Sequence, residues 1–187
     1  MLLSWLSSFI HARSQCVVLE NCFSTWSYVT SGVPQGSVLG PILFLVFIND
    51  VASICCGETT VKLFADDLKL YSVYNSTDNS VDLQHSLDKL VEWSNLWQLQ
   101  INMNKCQVLS IHNKSISNVS SNYSVNGFVL SSVALANDLG VYVDSNLSFK
   151  HHVVTKSRQG ADVFFAGLFR DPMILFVKRS LLIFAPC

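Results

Sequence analysis

The chain has 187 residues, half of them hydrophobic and 13% charged, with a mean hydropathy of +0.36. That excludes disordered, collagen-like and low-complexity chains and leaves room for one domain with a core, or slightly more. The net charge of −1 divides unevenly: residues 1–149 carry six Lys/Arg against eleven Asp/Glu (net −5), and residues 150–187 carry six against two (net +4), a basic end suited to polyanions.

The apolar start up to Ile10 reads as the end of a helix and lacks the basic n-region of a signal peptide. Residues 15–19 and 22–29 read as strands, and Gly32, Pro34 and Gly36 punctuate a loop over residues 31–37. Pro41 suits the first turn of a helix reaching about Ala52. Because that helix is apolar on every side, it is expected to be buried on every side. Its densest run, residues 38–48, falls short of the ~20 apolar residues that span a bilayer. No membrane span is expected.

Residues 61–65 and 68–73 read as two strands joined by a turn at Asp66-Asp67. Leu83, Leu87, Leu90, Val91 and Trp97 recur at helical spacing over residues 78–97, with Asp82, Asp88, Lys89 and Glu92 on the wet side. Short strands follow near residues 108–111, at 123–130 with a turn at Asn126-Gly127, and at 139–143. Val154, Ala161, Phe164, Phe165 and Leu168 suggest a last amphipathic helix. The fold class read from this pattern is α+β, an antiparallel sheet with helices packed on one face. The six cysteines show neither a C-x-x-C nor a zinc-type spacing and read as free thiols in a reducing compartment. The adjacent His151-His152 reads as a solvated pair.

Phe64-Ala65-Asp66-Asp67 carries the most chemistry. Two carboxylates ~4 Å apart repel by roughly 4 kcal/mol at an effective dielectric of about 20. A hairpin turn can bring both to one cavity, where a divalent cation removes the repulsion; Mg²⁺ takes one or two protein carboxylates and fills its other positions with water and phosphates. Taken alone, the pair reads more readily as a polar hairpin turn than as a metal site, since Asp is a common turn residue.

Its neighbours add a second signal. Ser31-Gly32-Val33-Pro34-Gln35-Gly36-Ser37-Val38-Leu39-Gly40-Pro41, a helix ending Ile48-Asn49-Asp50, and then Phe64-Ala65-Asp66-Asp67 resemble the palm of reverse transcriptases, in particular those of non-LTR (LINE-type) retrotransposons. Trp93 with Trp97, Asn102-Met103-Asn104-Lys105-Cys106, Asp138-Leu139-Gly140-Val141, and Leu147-Ser148-Phe149 with His151 or His152 continue the resemblance.

The resemblance implies template-directed DNA synthesis from dNTPs on an RNA template, with a DNA primer and two-metal phosphoryl transfer using Mg²⁺ or Mn²⁺. It puts Asp66 and Asp67 in the metal site, Asp66 being the favoured direct ligand. Gly32, Pro34, Gln35 and Gly36 would face nucleotide and template, where a glycine backbone approaches closely, and Phe64 would pack beside them. Lys105 matches the lysine that neutralises the departing pyrophosphate, a task suited to a side chain whose pKa shifts readily; a solvated surface lysine is the plain alternative. Intracellular residence, in nucleus or cytoplasm, goes with this reading.

The family's third carboxylate lies upstream of the stretch matched here, and no Asp or Glu precedes Glu20. The expectation is therefore an incomplete, N-terminally truncated palm over residues 1–149, without fingers or the first catalytic strand, followed by a basic helical connection or thumb remnant over residues 150–187. On this reading the isolated chain is inactive. The alternative is a non-catalytic module, derived from a transposon, that binds nucleic acid or protein.

Overall fold

In the computed structural model, residues 1–73, 78–111, 122–158 and 174–175 are described. They are α+β, with helices and several small sheets forming two compact units that divide at Asn49/Asp50.

The first unit opens with α1 (Leu2–Ile10). The strand β1 (Arg13–Gln15) follows, and then β2 (Val18–Leu19) and β3 (Cys22–Phe23) form a small hairpin turning at Glu20-Asn21. Outside it β1 pairs antiparallel with β4 (Ser27–Val29). The two long strands expected from the sequence are thus broken into four short ones, with Glu20 at φ +54°. Beyond the 31–37 loop, α2 (Leu39–Ile48) buries only Gly40 and Ile48. The expectation that its whole circumference is buried fails: Ile42, Leu45, Val46 and Phe47 are exposed, Val46 by 70%. Apolarity creates a demand for cover, but the described residues do not supply it.

A 3-10 helix (Asn49–Ile54) opens the second unit from its second residue on and buries Val51 and Ile54. The strands β5 (Thr60–Phe64) and β6 (Asp67–Tyr71) form an antiparallel hairpin. The helix α3 (Asp78–Leu96) turns Leu83, Leu87, Leu90 and Trp93 inward, as its spacing requires. Asp50 Oδ1 accepts the indole N–H of Trp93 at 2.9 Å, so this large ring is buried with its polar atom satisfied. A 3-10 turn (Met103–Lys105) leads into β7 (Gln107–Leu109). The hairpin of β8 (Ser124–Val125) and β9 (Phe128–Val129) turns at Asn126-Gly127, both at positive φ, as the sequence predicts. It docks on α3 through the Gln84 amide, which donates to the Ser124 carbonyl at 2.9 Å and accepts the Ser124 N–H at 3.0 Å.

The strand β10 (Ser131–Val133) lies parallel to β7, so the sheets are not all antiparallel as expected. Next, β11 (Leu135–Asp138) and β12 (Val141–Asp144) form a hairpin. Leu139-Gly140 is its two-residue turn, both residues at positive φ, so the strand expected over residues 139–143 begins only at Val141. The last helix, α4 (Lys150–Arg158), is described only to its ninth residue, and its expected continuation to Leu168 lies outside the described residues. The pair β13 (Ile174–Leu175) adds to the free edge of β6, giving a three-stranded sheet β13-β6-β5.

Leu109, Ala136 and Val143 form a core cluster against which Tyr71, Val133, Val141 and Phe149 pack. His152 is buried, not solvated: its Nδ1 accepts the Tyr142 N–H at 3.2 Å and fastens α4 to β12. His151 meets the Tyr142 ring edge-on at 5.0 Å. Cys16, Cys22, Cys55, Cys56 and Cys106 are free thiols. No helix among the described residues is long and apolar enough to cross a membrane.

Candidate active site

The hairpin β5–β6 is organised by strand alternation. Register places Val61 and Leu63 beside Leu70 and Leu68 on one face, where both β6 leucines are buried. Lys62 and Phe64 lie opposite Lys69 and Asp67 on the other. The turn is Ala65-Asp66, one residue earlier than expected, and Asp67 is the first residue of β6. Ala65 sits at φ +49°, a left-handed conformation that costs a residue with a Cβ about 1–2 kcal/mol. The sequence Leu-Phe-Ala-Asp-Asp-Leu resists a turn at Asp66-Asp67 because Leu68 and Leu70 must both reach the core; that phase makes Asp67 a strand residue.

The second face borders a cavity of about 220 Å³. The hairpin contributes Lys62, Phe64, Asp67 and Lys69 from this face, with Leu63 and Leu68 also reaching its wall; β7 contributes Gln107, and β11 with its turn contributes Ala136 to Leu139. Asp67 thus faces a recess, with Asp66 beside it in the turn. Phe64 is 65% exposed beside Asp67 and is no core aromatic. Lys69 forms an ion pair with Asp138 across the cavity wall. Sequence reasoning missed this pair. The signal was period-2 alternation, which puts residue 69 on the side of Asp67, but the partner lies 69 residues away and no local pattern names it.

Asp67 lines the recess and Asp66 does not. As neighbouring carboxylates they are the residues here that could hold a hard cation such as Mg²⁺, which takes one or two protein carboxylates and fills its other positions with water and phosphate. No group of three or more His, Cys, Asp or Glu that could hold a metal occurs among the described residues.

Gly32, Pro34, Gln35 and Gly36 share one loop in the first unit. Gly32 and Gly36 adopt φ of +78° and +77°, and a Cβ at Gly36 would meet nothing within 4 Å, so its open side is turned away from other protein atoms. Arg13 pins the loop: Nη2 donates to the carbonyl of Gly32 at 2.5 Å, while Nε donates to that of Ile10 at 2.7 Å. The Ser37 hydroxyl donates to the Pro34 carbonyl at 2.6 Å and accepts the Gly40 N–H at 3.0 Å, tying the loop to α2. Gln35 stays exposed. The holding role of Arg13 was also not foreseen. Lys105 is exposed at the end of its 3-10 turn and does not line the cavity beside Asp67.

Residues 1–150 match the family described as "Reverse transcriptase (RNA-dependent DNA polymerase)". Among characterised proteins, the chain is 32% identical over 159 residues to the RNA-directed DNA polymerase from mobile element jockey of Drosophila funebris, covering 80% of this chain and 17% of that protein. It is 30% identical over 167 residues to the probable RNA-directed DNA polymerase from transposon BS of Drosophila melanogaster, covering 82% and 18%. It is 28% identical over 152 residues to the probable RNA-directed DNA polymerase from transposon X-element of the same fly, covering 79% and 16%. The chain therefore spans about a sixth of the length of the relatives it matches. No solved structure matches it. With four fifths of its length matched, and with the Phe64-Ala65-Asp66-Asp67 hairpin formed beside a recess, the chain belongs to the reverse transcriptase family of the non-LTR retrotransposons.

Proposed function

We propose that this chain is the palm portion of an RNA-directed DNA polymerase that extends a DNA primer with dNTPs on an RNA template, and that residues 150–187 form a basic connection or thumb remnant. Members of the family bind template and primer and use divalent metal ions. The carrying observation is the hairpin that sets Asp66 in its turn and Asp67 on the recess side in a chain matched to the family over residues 1–150.

In this reading Asp66 and Asp67 hold Mg²⁺, or Mn²⁺ in its place. The bound cation supplies positive charge that offsets the carboxylate repulsion and the phosphates of the incoming nucleotide. Gly32 and Gly36 give template and nucleotide access to bare backbone, Pro34 fixes the loop between them, and Gln35 offers its exposed amide. Phe64 packs its exposed ring beside the nucleic acid, and Lys105 neutralises pyrophosphate. Positioning with charge neutralisation, which Asp66 and Asp67 serve in this reading, provides nearly all the catalysis of phosphoryl transfer.

Primer extension on an RNA template tests the proposal. The chain alone is expected to give no product with Mg²⁺ or Mn²⁺. Fusion to the preceding, aspartate-bearing segment of a related element is expected to restore synthesis, and Asp66→Asn in that fusion to abolish it. Synthesis that survives Asp66→Asn sinks the assignment. Nucleic-acid binding by the fusion without synthesis would favour the non-catalytic module.

A further inference from the structure

We propose that the Lys69–Asp138 ion pair is a positioning contact that fixes the Asp66-Asp67 hairpin against the Leu139-Gly140 hairpin, so that both border the same recess at a set separation. The two hairpins belong to different sheets, β13-β6-β5 and β11-β12, so no ladder of backbone hydrogen bonds joins them. Among the side chains that join them are two from one face of β6. At the end of β6 far from the turn, Tyr71 packs against the cluster of Leu109, Ala136 and Val143. Nearer the turn, Lys69 meets Asp138, the residue immediately before Leu139-Gly140.

Apolar contact sets how closely the sheets approach but tolerates sliding, whereas an ion pair selects one arrangement. Both partners are about three-quarters buried, with 25% and 24% of their side chains exposed, so solvent screens the pair less than a surface bridge. Lys62 lies directly across the strands from Lys69, and like charges in that relation repel. Asp138 offsets the repulsion and draws Lys69 toward the cavity wall. Asp67 lies two residues from Lys69 on the same face, so motion of Lys69 is transmitted to Asp67 through one rigid turn of strand pleat. The catalytic meaning of this contact rests on the metal-site reading above; the mechanical coupling does not.

The test is amide hydrogen exchange on the chain carrying Lys69→Gln, Asp138→Asn, both together, and Lys69→Arg. Each neutral variant is expected to speed exchange roughly fivefold in both hairpins, including the one that carries no substitution. The double variant is expected to add little further, and Lys69→Arg to retain protection because it keeps the charge. The charge-reversed pair Lys69→Asp with Asp138→Lys should recover most of the protection, which separates coupling from a general loss of folding. Exchange that changes only in the substituted hairpin, or two effects that simply add, would overturn the proposal. A parallel titration uses Mn²⁺ as the probe, read by paramagnetic broadening around residues 64–67. Weaker broadening in Lys69→Gln with recovery in Lys69→Arg supports a positioning role. Broadening unchanged by Asp66→Asn would remove the metal-site reading while leaving the exchange result standing.

Discussion

Ala65 is the residue on which the candidate site turns. It occupies the first position of a two-residue hairpin turn at φ +49°, where glycine is the usual solution. The left-handed conformation costs alanine about 1–2 kcal/mol, while glycine there forfeits roughly 0.4–1 kcal/mol through the freedom it gives the unfolded chain. The first effect is larger. Ala65→Gly is therefore expected to stabilise the protein by about 0.5–1 kcal/mol, and Ala65→Val to destabilise it, since a branched side chain tolerates positive φ least. Urea unfolding midpoints for the two variants decide this, and a lower midpoint for Ala65→Gly would show that the alanine methyl makes a contact worth more than the strain. Alanine gives this turn less backbone freedom than glycine would, at a cost in stability, directly before Asp66 and Asp67.

Among the elements, the start of α4 depends on a single carboxylate. Asp144, the last residue of β12, accepts the N–H groups of Asn146, Ser148 and Phe149 and the Ser148 hydroxyl, at 2.8 to 3.1 Å. Partial burial alone would raise its pKa, but these hydrogen bonds act together to hold it below the usual carboxylate value. A depressed folded pKa means that the contribution is complete above the unfolded value of about 3.9 and is lost as pH falls through the folded one. Thermal unfolding is accordingly expected to show Asp144→Ala less stable by about 1–2 kcal/mol at pH 7, with the gap to the parent closing below about pH 4. A gap that stays constant down to pH 2 would show that the carboxylate charge is irrelevant. The sequence discloses elements of this kind unevenly. The helix α3 and the Asn126-Gly127 hairpin were legible because leucine spacing and turn chemistry are local signals. The Asp66-Asp67 carboxylates were legible as part of a hairpin, but its turn falls one residue earlier because Leu68 and Leu70 must keep their core-facing phase. The parallel pairing of β7 with β10, the buried contact of His152 with Tyr142 and the Lys69–Asp138 pair stayed hidden, since each joins residues whose partner is fixed only by tertiary packing.

At the scale of the whole molecule, the balance of apolar surface against charge governs behaviour in solution. Within residues 1–49, Leu2, Leu3 and Trp5 of α1, Val18 and Leu19 of β2, and Ile42, Leu45 and Val46 of α2 are all exposed. Each large aliphatic side chain left in water forgoes about 1.5–3 kcal/mol of burial, so these residues together represent a strong drive toward association. Opposing repulsion is weak, since the chain has a net charge of −1 and only 13% charged residues. The segregated charge, −5 over residues 1–149 and +4 over residues 150–187, even favours head-to-tail contact between copies. The isolated chain is therefore expected to self-associate at micromolar concentration, and light scattering with sedimentation velocity reads this directly. High salt should screen the charge-driven part and leave the apolar part intact. Leu45→Lys with Val46→Glu should shift the distribution toward monomer without altering exchange protection in α3, whose leucine face lies in the other unit. A monodisperse monomer of the unmodified chain at low and high salt would show that these apolar residues find cover within the chain itself.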